Sequence, residues 1–194
     1  MLLIYLHGFN SSPASHKATL LQETLRERGL ADRFVCPQLP HRPAAAIAAI
    51  ETYIDRYGPA SITLIGSSLG GFYATYLAEK HDLRAILLNP AVHPHRDLTK
   101  YLGQQRNLYT GEEYELTDLH VRELAALWVE RIEPHRYFLL VETGDEVLDY
   151  RAAVARYAGA RQLVVEGGDH TLRCFGRELP AIFAFSGLPF PTIR

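Results

Sequence analysis

The five residues Gly66-Ser67-Ser68-Leu69-Gly70 constrain this chain more than any other stretch. The apolar run Ile62-Thr63-Leu64-Ile65 precedes them, and a run of helical character, Phe72-Tyr73-Ala74-Thr75-Tyr76-Leu77-Ala78, follows. A serine with glycine two residues before and two after, at a strand-to-helix junction, has the pattern of a sharp turn that lifts a hydroxyl above a sheet. Glycine removes the Cβ atoms that such a turn would force into neighbouring backbone. The helix behind it aims its first N–H groups at the hydroxyl. One competing reading is a turn that only packs tightly. Another is a phosphate loop, but that requires a Gly-Lys-Ser/Thr ending or a Gly-x-Gly-x-x-Gly run. Gly70 is followed instead by Gly71 and Phe72. Ser68 is thus a candidate nucleophile for attack on an acyl carbon.

The rest of the chain alternates in kind. Residues 2–6, 33–36, 62–65, 85–88, 137–142 and 162–166 read as strands. Residues 17–28, 44–57, 72–80, 150–157 and 177–185 carry apolar side chains at helical spacing. Strands with few polar positions, alternating with amphipathic helices, imply a parallel sheet covered on both faces. Right-handed crossovers make it doubly wound. Residues 91–134 break the alternation: they are polar, rich in aromatics and helical over 118–132, and read as a small cap insertion. No repeat or low-complexity linker interrupts the chain, and its 194 residues suit one domain.

Charge and hydropathy exclude some functions. The net charge is −2 with histidines neutral, and no basic stripe invites nucleic acid. No apolar run approaches the ~20 residues that cross a bilayer. The first six residues lack a basic n-region and a cleavage site and read as a strand, so a cytoplasmic location is expected. Cys36 and Cys174 have no metal-binding spacing and read as buried thiols in a reducing compartment.

A serine hydroxyl needs a base, and the base needs an orienting acid. In a sheet of this kind both come from loops at the carboxyl edge, in the order Ser, acid, His. Gly167-Gly168-Asp169-His170 follows the 162–166 strand and supplies His170 as base. Thr143-Gly144-Asp145-Glu146 follows the 137–142 strand and supplies Asp145 as acid, with Asp149 and Glu146 as alternatives. Asp149 has a plainer explanation, because an acid at the start of a helix suits its dipole. Asp169 reads as a turn residue. The oxyanion donors expected are the Leu69 amide, next to the serine, and the Phe9 amide, in the loop after the first strand. His7 reads as a brace for that loop. His16, His41, His81, His120 and His135 read as solvent-facing, and His93 and His95 lack the further ligands a metal site would need.

These motifs resemble the YqiA-type esterases, small bacterial α/β-hydrolases. The likeness extends over 5–13, 37–40, 66–71, 89–92, 101–104, 109–112, 143–151 and 166–170, including the insertion; residues 187–194 carry no part of it. The resemblance implies an α/β-hydrolase fold with a reduced, mostly parallel sheet of about six strands, helices on both faces and a small cap. It carries the catalytic roles to Ser68, Asp145 and His170. It implies hydrolysis of carboxylic esters and admits thioesters such as acyl-CoA.

The expected reaction is a Ser-Asp-His hydrolysis through an acyl-enzyme, which calls for neither metal nor cofactor, with activity falling as acid protonates His170. The partner expected is a small acyl ester or thioester. Phe72, Pro90 and Val92 start the elements around the serine, as pocket wall or, for Phe72, as core. A cap of this size suits short or slender acyl groups. The rivals are an acyltransferase or thioesterase built on the same residues, and a non-catalytic binding protein on a hydrolase fold.

Overall fold

The computed structural model describes residues 1–188, so only the first two residues of the 187–194 tail fall within it. In chain order the elements are β1 (Leu2–Leu6), α1 (His16–Glu27), β2 (Phe34–Val35), α2 (Pro43–Tyr57), β3 (Ile62–Ser67), α3 (Leu69–His81) and β4 (Arg84–Leu88). The inserted segment holds α4 (Pro94–Asp97), β5 (Gly103–Arg106), β6 (Glu113–Leu116) and α5 (Asp118–Ala126). The sheet resumes with β7 (Tyr137–Glu142), α6 (Tyr150–Arg156), β8 (Arg161–Val165) and α7 (Phe175–Ser186). This is an α/β-hydrolase fold with a small antiparallel cap.

Six strands form one sheet in the order β2-β1-β3-β4-β7-β8, and every pair is parallel. Side chains alternate across it because the strand period is two. Leu3, Tyr5, Ile65, Ile86 and Phe138 face α1 and α7, whose Leu21, Leu25, Ile182 and Phe183 are buried against them. Ile4, Leu6, Leu64, Leu87 and Leu139 face the opposite side, with Ile50 and Ile54 of α2 and Leu77 of α3. Each such side chain contributes about 1.5–3 kcal/mol on burial.

Register decides which loops meet. Leu6 pairs with Gly66, so the loop after β1 leaves the sheet beside the 66–70 turn. Ser67 pairs with Leu88, and Glu142 with Val165. The loops after β1, β3, β4, β7 and β8 therefore open at one sheet edge.

The cap departs from the sequence expectation. Helix α5 ends at Ala126 rather than reaching 132, and an antiparallel hairpin, β5 with β6, stands ahead of it. Its strands, Gly-Gln-Gln-Arg and Glu-Tyr-Glu-Leu, contain no β-branched residue, so local propensity does not announce them. Docking makes the hairpin instead. Asn10, in the loop after β1, donates through Nδ2 to Gln105 Oε1 at 3.2 Å and accepts from the Tyr114 hydroxyl at 2.8 Å. Asn107 Nδ2 donates to the Ser11 carbonyl at 2.8 Å.

Three histidines read as solvent-facing are not. His120 is 3% exposed; its Nδ1 accepts the Thr117 amide at the start of α5, and its Nε2 lies 2.9 Å from Nδ1 of His41. His41 is itself half-buried and stacks on Tyr114 with ring centroids 4.2 Å apart. The reason is the docking of α5 on α2, fastened by an Arg42–Glu123 ion pair. His81 is half-buried and pairs with Glu51 at 3.1 Å, while His16 and His135 are exposed.

Candidate active site

Ser68 links β3 to α3 with φ 54° and ψ −120°, a conformation that strains any residue with a Cβ. Three backbone hydrogen bonds hold it there. Its amide donates to Leu88 O at 3.1 Å, and its carbonyl accepts from Gly71 at 2.9 Å and Ala91 at 3.0 Å. The flanking glycines are sterically required. A Cβ on Gly66 would overlap the Gly70 carbonyl, and one on Gly70 would overlap the Leu6 carbonyl.

His170, from the loop after β8, brings Nε2 to 3.2 Å from Ser68 Oγ. Its Nδ1 lies 2.8 Å and 3.0 Å from the two carboxylate oxygens of Asp145. An ionised carboxylate only accepts, so Nδ1 carries the proton and Nε2 turns its lone pair to the serine. The Asp145 side chain is 2% exposed. Burial pushes its carboxyl up, but the hydrogen bond from His170 and the amides of Leu148 and Val147 outweigh this and hold it below its ordinary range.

The alternative acids are elsewhere. Asp149 caps α6 by accepting the Arg151 amide at 3.0 Å. Glu146 accepts the His170 backbone amide at 3.0 Å and does not touch the ring nitrogens. Asp169 accepts the Thr171 amide at 2.9 Å and pairs with Arg173 at 2.7 Å.

Two buried residues that the sequence reading passed over brace this arrangement. Glu142, 1% exposed at the end of β7, accepts the amides of Asp169, Arg173 and Cys174 at 2.9, 2.9 and 2.7 Å. Burial pushes its carboxyl up, and those amides outweigh burial and hold it below its ordinary range. Asn89, after β4, donates through Nδ2 to the carbonyls of Asp169 at 3.0 Å and His170 at 3.4 Å. In sequence, Glu142 reads as the polar end of a strand and Asn89 as a strand stop before Pro90; no local signal marks either.

Leu69 begins α3, so its amide has no carbonyl to bond within the helix. Gly8 passes so close to Ser68 that a Cβ on it would stand 3.2 Å from the serine Cβ. The next residue, Phe9, lines the same cavity as Ser68 and Leu69. His7 is buried, accepts the Leu39 amide at Nε2 at 3.0 Å, and has Nδ1 3.1 Å from the Gly8 carbonyl. Burial, only partly opposed by the Gly8 carbonyl, lowers its pKa.

The model of the uncharacterised protein family UPF0227 matches residues 2–187. This chain belongs to that family. The UPF0227 protein of Serratia proteamaculans (strain 568) is 25% identical over 195 residues, covering 97% of this chain and 100% of that protein. Among solved structures, Est1E from Butyrivibrio proteoclasticus is similar with a TM-score of 0.71 and 20% identity, covering 95% of this chain and 86% of that one. The mouse alpha/beta hydrolase domain-containing protein 10 is similar with a TM-score of 0.68 and 16% identity, covering 94% and 87%. At these identities the likeness establishes the fold.

In this UPF0227 chain Ser68 and His170 stand on the wall of a cavity of about 570 Å³, lined also by Phe9, Pro90, Val92 and Leu98. Phe72 is not on that wall; it is 4% exposed within the core. His93 and His95 pack against Trp128, with ring centroids 4.8 and 6.0 Å away. Among the described residues no group of three or more His, Cys, Asp or Glu side chains is disposed to hold a metal ion, and no helix is long and apolar enough to cross a membrane.

Proposed function

We propose that this chain is a serine hydrolase that cleaves carboxylic esters, thioesters included, through an acyl-enzyme. One observation carries the reading: a single imidazole touches a buried carboxylate at 2.8 Å and the hydroxyl of a strained turn at 3.2 Å. A scaffold gains nothing from holding a serine at φ 54° beside a histidine, whereas nucleophilic catalysis needs both.

The Ser68 oxygen forms a bond to the acyl carbon while its proton passes to His170 Nε2. The amides of Phe9 and Leu69 stabilise the charge on the carbonyl oxygen, a contribution worth about 10²–10³ in rate per donor. The bond to the departing oxygen or sulfur breaks as His170 returns the proton to it. Water then gives a proton to His170 and its oxygen to the acyl carbon, and Ser68 recovers its proton as the acid leaves. Asp145 fixes the imidazole tautomer and stabilises the imidazolium. The acyl chain occupies the 570 Å³ cavity.

A fluorophosphonate probe tests this reading. The expected result is a stoichiometric adduct on Ser68 and none in Ser68→Ala, together with turnover of short acyl esters. A native chain that neither takes the probe nor turns over any of a panel of esters and thioesters, with and without competing alcohols, overturns it. Transfer to the alcohol in preference to water moves the assignment to an acyltransferase.

A further inference from the structure

Ser68 and His170 are shared by two cavities. The first is the larger cavity described above, which presents Pro90, Val92 and Leu98 together with Asp97, Lys100 and Asp149. The second, of about 280 Å³, is lined by Ser11, Ser15, Lys17 and Tyr109 as well as by Ser68 and His170. Much of its wall comes from the loop after β1, from Gly8 and the oxyanion donor Phe9 onward into α1, and from the tip of the cap hairpin. Asn107 joins them. It donates to the Ser11 carbonyl at 2.8 Å, and its Oδ1 accepts the amides of Tyr109 at 2.9 Å and Thr110 at 3.2 Å, which fixes Tyr109 over the cavity.

Resting on the hydrolase reading, we propose that this second cavity is the leaving-group subsite, and that it takes a short alcohol or thiol bearing a carboxylate or phosphate, with Lys17 as the residue that recognises the anion.

The argument rests on unspent donors. An ammonium has three N–H bonds to donate. Lys17 Nζ gives one to the Thr171 carbonyl at 2.9 Å, and among the described residues it makes no other hydrogen bond and no ion pair. Three carboxylates stand near it, but each is engaged: Asp145 on His170, Glu142 on three backbone amides, Asp169 on Thr171 and Arg173. Burial pulls the Lys17 ammonium below its ordinary range, against the pull of those carboxylates, so an anion in the cavity would restore what desolvation removes. Among the described residues the Ser15 hydroxyl, also buried, has no hydrogen-bond partner. His170 lines both cavities and must protonate the departing atom, so a group leaving into the second cavity stays within its reach while the acyl chain lies in the larger one.

The test compares butyrate esters of glycolate, of its isostere glycolamide and of phosphoethanol, together with monomethyl succinate, which carries the charge on the acyl side. Each kcat/KM is divided by the spontaneous hydrolysis rate of the same ester. The expected preference for glycolate over glycolamide is about ten- to a hundredfold, the scale of a charge-assisted hydrogen bond. The phosphoethanol ester shows whether phosphate is accepted as carboxylate is. Lys17→Met should bring the preference close to unity, and Lys17→Arg should retain it. Equal normalised rates for the glycolate and glycolamide esters in the native chain overturn the proposal, as does a gain confined to monomethyl succinate. Turnover of the glycolamide ester alongside such a result leaves the hydrolase reading standing. Absence of all turnover and of probe labelling removes both.

Discussion

The backbone amide of Glu142 donates to Asn89 Oδ1 at 3.0 Å, and this one bond ties together the two side chains that grip the His170 loop. Asn89 holds the loop by its carbonyls and Glu142 by its amides. Gly168, at φ 71°, runs so close to the Glu142 carboxylate that a Cβ there would collide with it. The imidazole is therefore positioned by the ends of β4 and β7, not by its own strand alone.

Glu142→Gln should lower stability by about 1.5–3 kcal/mol at neutral pH, because an amide cannot accept from all three N–H groups. The folded-state pKa of Glu142 is depressed, so its contribution is present above the unfolded-state value, near 4.3, and is lost as pH falls through the folded-state value. Denaturant titrations of both proteins between neutral and strongly acidic pH should show the stability gap closing on the acid side. A gap of constant size would mean the carboxylate charge is not what holds the loop. The variant should also lose kcat more than it raises KM.

Asp145→Asn should reduce kcat by about 10⁴, since an amide no longer dictates the imidazole tautomer. Asp149→Asn should leave kcat within a few-fold, because asparagine caps a helix as well as aspartate does, and Asp149→Ala should cost about 1 kcal/mol of stability. Kinetics and melting curves on the three variants distinguish the two acids. Equal damage from Asp145→Asn and Asp149→Asn would reject the assignment.

Two glycine substitutions should act in opposite directions. Gly70→Ala drives a Cβ into the Leu6 carbonyl and should cost about 3 kcal/mol or more, prising α3 from β1 and displacing Ser68. Gly176 lies inside α7, and a Cβ there meets only the Leu20 side chain at 3.4 Å. Gly176→Ala should therefore stabilise by up to about 1 kcal/mol through helix propensity. Thermal unfolding of the two variants checks both signs.

Acetyl, butyryl and hexanoyl esters should be hydrolysed faster than dodecanoyl esters. The larger cavity, about 570 Å³, is of a size that holds small ligands. A kcat/KM series over chain length measures this, and rates that climb steadily to long chains contradict it.

The alternation of strands and helices was legible because hydrophobic periodicity is a local property. The same holds for the 66–70 turn, where glycine spacing reports a steric need within five residues. The order of Ser68, Asp145 and His170 could be read because each follows a recognisable strand end. The β5–β6 hairpin was hidden, since its strands owe their form to Asn10 and Ser11, far away in sequence. The burial of His120 was hidden for the same reason: beyond its local bond to Thr117, it depends on His41 and the docking of α5.

By itself, then, the sequence determined the layer architecture, the sharp turn at Ser68 and the loops able to supply an acid and a base. Only the tertiary structure decided that Asp145 rather than Asp149 or Glu146 meets the imidazole, that Glu142 and Asn89 brace it, and that two cavities meet at one hydroxyl. Backbone preference acts over a few residues and is written in local pattern. Hydrogen-bond partners and cavity walls are set by strand register and cap docking, which join residues that no local pattern connects.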